Sequence, residues 1–343
     1  MLQEIRSIGE MANLSKISNE ISESSAAFIE IDEASEGQRI DNFLTKTLKG
    51  VPKSHLYRIL RSGEVRVNKK RIDATYKLAS GDLVRVPPIR TSIVQTDGQP
   101  QKPVTARLEK SIIFEDDAML VLDKPAGMAV HGGSGVSKGV IEQLRLERPQ
   151  AKFLELVHRL DRETSGVLMV GKKRSALVAL HEAMRRNQMD KRYLMLVHGH
   201  WTEKKKKVVL TLQKYLLENG ERRVSVVTGK VDPRAEDDGQ TSETIFHLKQ
   251  HYGDFSLLEA QLITGRTHQL RVQLAHLGFP IAGDDKYGDF ALNKALQKQG
   301  LKRMFLHSAE TTIRHPLKDE KLKLVAPLPP ELEKFLAKLA ATN

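Results

Sequence analysis

Cysteine is absent from this 343-residue chain, which excludes disulfides, thiolate nucleophiles and Cys-ligated zinc or iron–sulfur sites while leaving the compartment open. Apolar runs of membrane-spanning length are missing too. Residues 1 to 20 lack both the apolar core of a secretory signal and the acid-poor, Arg-rich face of a transit peptide. A soluble, cytoplasmic, monomeric protein is the default expectation. The 12 histidines include no HExxH pair, and His268 and His276 stand eight apart, so no catalytic metal is expected. What the chain does have is positive charge, with 55 Lys and Arg against 43 Asp and Glu. A net charge of +12 suits a polyanionic partner, and on charge alone RNA, DNA and acidic membranes are all open. The length fits about two domains.

The densest chemistry lies in His158-Arg159-Leu160-Asp161-Arg162-Glu163-Thr164-Ser165, closed by Gly166. Phe153 to Val157 before it and Val167 to Val170 after it read as short apolar strands, which puts Asp161 on a tight connection at one end of a sheet. Asp, Thr, Ser and Gly are also ordinary turn residues. A turn does not need Arg on both sides, however, and two guanidinium groups beside one carboxylate would hold it ionised at neutral pH.

A second cluster, Thr264-Gly265-Arg266-Thr267-His268-Gln269-Leu270-Arg271, follows the strand-like Leu257 to Ile263. It opens a helix in which Leu270, Leu274 and Leu277 recur at helical spacing before Gly278 stops it. Free N–H groups and the helix dipole favour an anion there, and Arg266 and Arg271 add fixed charge. A phosphate and Asp161 are both candidates for that anion.

Residues 1 to 35, rich in Ser, Glu and Asn, read as a mobile extension. Residues 36 to 88 read as a small module. Ile40, Phe43, Leu44 and Leu48 make one helical stripe and Leu56, Ile59 and Leu60 a second, which Gly63 ends. Val65 and Val67 form a strand, Asn68-Lys69-Lys70 a turn, and Leu83 to Val86 a closing strand. Between Lys53 and Arg71 stand seven bases (Lys53, Arg58, Arg61, Arg66, Lys69, Lys70, Arg71) against one acid, Glu64. A solvated face normally mixes signs, so this patch is expected to grip phosphates.

Residues 89 to 108, with Gly98, Pro100 and Pro103, read as a linker, and residues 109 to 343, which hold both clusters, as the second domain and the candidate catalytic one. There a hairpin is expected over Ile112–Phe114 and Met119–Leu122, a helix over Ser175 to Asn187, and further strands near 208–212, 223–227, 245–248, 257–263 and 311–313. Many strands with few helices argue for an α+β domain. Gly135-Val136-Ser137-Lys138-Gly139 satisfies the G-x-S-x-G pattern of serine hydrolases, but this Ser lies in a Gly-rich stretch rather than at an abrupt strand-to-helix turn.

The two clusters, together with Asp123-Lys124-Pro125-Ala126-Gly127 and the Lys191-Arg192-Tyr193-Leu194 strand start, resemble the RluA-type pseudouridine synthases from about Gly37 to about Pro330. The basic front module resembles the S4 RNA-binding module. His131-Gly132-Gly133-Ser134-Gly135, Phe305-Leu306-His307-Ser308-Ala309 and Asp284-Asp285-Lys286-Tyr287-Gly288 look most like the subgroup that modifies bacterial large-subunit ribosomal RNA. The resemblance implies a mixed, largely antiparallel sheet with a central cleft. It implies no cofactor, and 23S ribosomal RNA or an assembling large subunit as partner. It further implies Asp161 as the catalytic carboxylate, Arg271 as its guanidinium partner in a two-armed pair, and Tyr193 as the aromatic that stacks on uracil and takes the C5 proton. Arg159, Arg266 and His268 join the seven front-module bases as RNA contacts. Whether Asp161 attacks C1′, adds to the base or removes the 2′ proton stays open. Relative to the family, Val231 to Gln240 read as a surface-loop insertion that puts nearby RNA contacts in doubt. The rival reading is a ribosome-associated protein that binds RNA through the front module without catalysis.

Overall fold

The computed structural model describes residues 26–48, 50–89, 107–132, 138–218, 221–229 and 238–342. The chain divides into two compact units, with the break at Ala106/Arg107. In the first unit, β1 (Ala27–Glu30) precedes two helices, α1 (Ile40–Thr47) and α2 (Lys53–Arg61), and three strands, β2 (Arg66–Val67), β3 (Lys70–Arg71) and β4 (Leu83–Val86). The antiparallel sheet runs β1-β4-β2-β3. The expected extension therefore ends early, because Ala27 to Glu30 pair residue by residue with Val86 to Leu83. Few large apolar residues in that stretch hid the strand, whose stability comes from the ladder and from the buried Ile31 that follows.

Both helical stripes bury as their spacing requires: Ile40, Leu44, Leu56, Ile59 and Leu60 share one core with Val65, Val67, Val84 and Val86. Gly63 takes a left-handed φ of +73° and turns the chain out of α2. Asn68 and Lys69 both have positive φ, 49° and 67°, the backbone of a tight hairpin turn that puts Lys69 at its tip. Ile89, assigned to the linker from sequence, is buried in this core, and residues 90–106 of the expected linker lie outside the described residues.

The second unit begins with β5 (Ile112–Glu115), β6 (Met119–Lys124), α3 (Val140–Glu147), β7 (Glu155–Leu156), β8 (Ser165–Gly171) and α4 (Arg174–Arg185). Next come β9 (Asp190–His198), β10 (Lys205–Leu216), β11 (Arg222–Val226), β12 (Gln240–Tyr252) and β13 (Phe255–Leu262). It closes with α5 (Gln269–His276), α6 (Phe290–Gln299), β14 (Leu306–Arg314), β15 (Lys321–Val325) and α7 (Pro330–Thr342). One sheet runs β11-β10-β12-β13-β9-β14-β8-β6-β5, with β15 beside β14 and β7 beside β8. Every pairing is antiparallel except β14 with β8, where His307 faces Ser165 and Ser308 faces Gly166.

The sheet is packed on both sides. Along β9, Met195 and Val197 join one core cluster and Leu196 the other, as the two-residue period of a strand dictates. All of β8 is buried, so it reads in sequence as a continuous apolar run. Gly166 marks a close approach, for at φ +107° any Cβ would run into the Ser308 carbonyl.

Candidate active site

β14, coming late in the chain, lies between β8 and β9, which are consecutive in the second unit's sheet by sequence. That insertion divides the site. Asp161 lies on the loop entering β8, whereas Tyr193 on β9 and Arg271 on α5 come from the other side of β14.

The Asp161 loop is fastened from below. Leu160 and Thr164 are buried, and the Thr164 N–H closes the turn on the Asp161 carbonyl at 3.1 Å. Lys124 at the end of β6 is fully buried, and its ammonium donates to the carbonyls of Pro125 (2.8 Å), Met128 (2.8 Å) and Arg162 (3.1 Å). Burial, with the nearby Arg303, lowers its pKa to about 7. Three carbonyl acceptors, one for each N–H, favour the charged form against that pull. The loop after β6 and the Asp161 loop are further laced by Gly127 and Arg162, each backbone or side-chain N–H donating to the other's carbonyl at 2.9 Å.

This geometry corrects the expectation of two flanking arginines around the carboxylate. Arg162 turns to the Gly127 carbonyl and to Glu163 at 3.6 Å, and Arg159 is exposed. The groups facing Asp161 are Arg271, with Nη1 3.2 Å from Oδ2, and His268, with Nε2 3.8 Å from Oδ1.

A second correction concerns the two-armed pair. Arg271 makes it with Asp284, Nε to Oδ2 and Nη2 to Oδ1, both at 2.7 Å. Only the remaining Nη1 reaches Asp161. Six consecutive residues of α5, Gln269 to Leu274, are buried, so this helix carries Arg271 into a place where an unpaired guanidinium would be costly. Burial opposes the charge on Arg271, and the bonds and field of Asp284, with Asp161 behind them, more than offset it and hold the pKa above the ordinary arginine value. Burial likewise opposes ionisation of Asp284, and Arg271 with the backbone N–H groups of Lys286 and Tyr287 brings its pKa below the usual carboxylate range.

The start of α5 is held by polar side chains. Gln269 Oε1 accepts from the Arg266 N–H at 3.0 Å and from Thr264 at 2.8 Å, while its amide donates to Thr244 at 2.8 Å. Of the N–H groups expected to be free for an anion in this cluster, that of Arg266 is therefore occupied. Arg266 itself is exposed and its Nε donates to the Thr241 carbonyl at 3.2 Å. His268, expected among the RNA contacts, turns inward to Asp161 and Tyr287 with its side chain 14% exposed.

Tyr193 is buried directly across from Ser308 of β14. Burial pushes its pKa up to about 12, with Asp161 adding to the rise. In the first unit all seven bases of the patch are exposed: Lys53, Arg58, Arg61, Arg66, Lys69, Lys70 and Arg71. Arg71 donates to the Arg61 carbonyl, Arg66 to that of Gly63 at 3.1 Å, and Arg85 to that of Glu64 at 2.6 Å. Three guanidinium groups thus cap the carbonyls after α2. Ser137 of the hydrolase-like motif lies outside the described residues, as do residues 231–237 of the insertion.

Sequence reasoning missed Asp284, Tyr287 and Lys124 as parts of the site. The first two sat in a run quoted only for its likeness to a subgroup; the usable signal was that a buried Arg requires a buried acid.

The chain is similar to known proteins over most of its length. The family model for RNA pseudouridylate synthase matches residues 118–276, and the S4 domain model matches residues 38–84. The ribosomal large subunit pseudouridine synthase C of Escherichia coli (strain K12) is 51% identical over 314 residues, 91% of this chain and 95% of the relative. The chain belongs to the RNA pseudouridylate synthase family. The synthase of the same name from Pasteurella multocida (strain Pm70) is 50% identical over 315 residues, covering 90% of this chain and 92% of that one. Among solved structures, human RNA pseudouridylate synthase domain containing 4 superposes with a TM-score of 0.55 at 26% identity, over 68% of this synthase and 94% of that chain.

Proposed function

We propose that this synthase isomerises uridines of large-subunit ribosomal RNA to pseudouridine in the cytoplasm, with Asp161 as the catalytic carboxylate and no cofactor. The reaction breaks the bond from ribose C1′ to uracil N1 and forms one from C1′ to C5. N1 gains a proton, C5 loses one, and there is no net redox change. It needs one aimed carboxylate and a site that retains the detached base. The observation that carries the reading is the Asp161 carboxylate, 20% exposed at the middle of the sheet and addressed through Oδ2 by an arginine whose other arm is locked to Asp284. Being single-armed toward Asp161, the guanidinium engages Oδ2 and leaves Oδ1 to its other neighbour, His268.

Tyr193 is a protonated phenol at neutral pH. It can take a C5 proton only as its own proton leaves. Arg159, exposed two residues ahead of Asp161 in the chain, is read as a hold for an extruded nucleotide, and the first unit as the source of phosphate contacts. Replacing Asp161 with Asn removes the charge at constant size. Pseudouridine formation in a large-subunit RNA fragment under single-turnover conditions should vanish with little change in RNA affinity, because phosphate contacts dominate binding. Activity within about tenfold of the parent, about 1.4 kcal/mol of barrier, would refute the assignment. A parent enzyme that binds this RNA without forming pseudouridine would favour the binding-only alternative.

A further inference from the structure

The carboxylate of Asp161 has two oxygens, and the second is addressed by a residue the reaction scheme leaves unused. We propose that His268 is a positioning residue, locked in one tautomer by Tyr287 so that it presents an N–H to Asp161 Oδ1. The proposal rests on Asp161 being the catalytic carboxylate.

The lock follows from hydrogen-bond directions. Tyr287 Oη accepts from the backbone N–H of Val224 at 3.1 Å. Its own hydrogen is then directed to its other neighbour, His268 Nδ1, at 2.8 Å. A neutral imidazole that accepts at Nδ1 carries its hydrogen on Nε2. That Nε2 lies 3.8 Å from Asp161 Oδ1, while Arg271 Nη1 lies 3.2 Å from Oδ2. Residues 268 and 271, one turn apart at the start of α5, thus address one oxygen each. The gap at Oδ1 is long for a hydrogen bond, as contacts to reacting groups commonly are before substrate closes the site.

The ring is held in this place at a conformational expense. His268 sits in the left-handed region, φ 52° and ψ 21°, which non-Gly residues adopt rarely and often at functional sites. Tyr287 is itself clamped, edge-on to the His268 ring at 5.5 Å and with the Arg271 guanidinium 5.2 Å over its face. Burial, with Arg271 and Lys286, disfavours charge on His268, and Asp161 and Asp284 favour it; the balance lowers the pKa below the ordinary histidine value, so the ring is neutral at pH 7. Tyr287 stays protonated, its pKa raised to about 12 by burial. The other charged or titratable groups whose fields reach Asp161 are Lys124 and Tyr193.

Two substitutions separate the ring nitrogens. The amide of His268→Gln reaches the position of Nε2, and that of His268→Asn stops at the position of Nδ1. Single-turnover pseudouridine formation would be measured against pH, alongside RNA Kd and thermal melting, for both variants, Tyr287→Phe and Asp161→Asn. With His268→Gln the rate should stay within about 3-fold of the parent and the profile in place, because the donor to the carboxylate is kept. With His268→Asn the rate at saturating RNA should fall about 10-fold or more, and the acidic limb should move up by about half to one pH unit, since a lost donor disfavours the ionised carboxylate. Tyr287→Phe should shift in the Asn direction, and Kd should stay within about 2-fold throughout. A purely conformational role predicts the reverse order, because Asn tolerates the left-handed region better than Gln. Gln falling as far as Asn with an unmoved limb overturns the proposal, as does a weakened Kd with an unchanged saturated rate, which makes His268 an RNA contact. Activity retained in Asp161→Asn instead refutes the underlying assignment of the carboxylate.

Discussion

Asp284→Asn probes the hidden half of the site most directly. Asn has nearly the same volume and keeps an oxygen at Oδ1, so the N–H groups of Lys286 (2.8 Å) and Tyr287 (3.1 Å) retain their acceptor. What goes is one charge, 1% exposed, paired at 2.7 Å with an arginine 4% exposed. Breaking a buried pair by removing one partner destabilises by about 3–5 kcal/mol. Here the figure should fall near the lower end, because Arg271 keeps Asp161 and, at 3.4 Å, the 72% exposed Asp285. At about 2–4 °C per kcal/mol for a unit of this size, the Tm of the second unit should drop by roughly 10 °C. Oδ1 still accepts from Nη2, but an amide NH2 at the Oδ2 position faces Nε donor to donor, so the guanidinium loses one arm of its hold and shifts against Asp161. The single-turnover rate should then fall about 100-fold, the usual effect of misplacing a reacting group by about 1 Å. Calorimetry and single-turnover assays on the same preparations read both effects. Asp285→Asn serves as the control and should shift stability by no more than about 0.5 kcal/mol, being a solvent-screened partner. If Asp284→Asn melted within about 2 °C of the parent, equivalent to less than about 1 kcal/mol, and turned over at the parental rate, the two-armed pair would carry neither stability nor catalysis.

Changing Arg58, Arg61, Lys69 and Lys70 together to Gln should flatten the salt dependence of RNA binding by about 3 units of log–log slope while leaving the saturated rate in place; an unchanged slope would show that the patch faces solvent only. Tyr193→Phe keeps the ring but not the hydroxyl, so it should stall on uridine RNA after the base rejoins, yet carry 5-fluorouridine RNA as far as the parent does, there being no C5 proton to remove. Equal failure on both substrates, read by the products released on digestion, places the hydroxyl before rejoining. Asp116 is buried enough to oppose ionisation, but the N–H of Met119, His315 at 2.7 Å and the N–H of Ala118 bring its pKa to about 2. A carboxylate depressed in the folded state stabilises above its unfolded pKa and loses that contribution as pH falls through the folded one. Asp116→Asn should therefore lower stability by about 2 kcal/mol at pH 7 and remove part of the decline between about pH 4 and pH 2. Parallel denaturation curves for parent and variant across that window would contradict it.

Short-range pattern carried most of the fold. Leu56, Ile59 and Leu60, or Leu270 and Leu274, announce their helices because burial selects one face. Glu155–Leu156 fell short of the expected Phe153–Val157 strand, because the ladder with β8 registers only these two residues and Val157 adds a single N–H to the Met169 carbonyl. α3, α6, α7 and β15 escaped notice; Phe290 is 63% exposed and the other apolar positions of α6 are few, so its stripe is weak. Asp161, Tyr193 and Arg271 came forward as candidates through motif resemblance. Their arrangement did not, because it depends on which strand separates β8 from β9 and on which acid meets Arg271 in the interior. Local patterning around Arg271 contains no record of Asp284, whose contact is made through a turn of the chain 13 residues on.

The late arrival of β14 in the middle of the sheet governs the order in which function can appear. Strands made earlier can pair within two separate groups, β5, β6 and β8 on one hand and β9 to β13 on the other, yet the hydrogen-bonded ladder of the sheet joins them only through the segment beginning at Leu306. During synthesis the chain therefore carries its RNA-gripping front unit long before Asp161 can be brought opposite Tyr193. A product truncated ahead of Leu306 would keep Asp161, Tyr193 and Arg271 but lack the strand that sets Asp161's side of the sheet beside that of Tyr193, and could occupy RNA without changing it. Completion of the polypeptide acts as a licence for chemistry, with nonlocal pairing as its timekeeper.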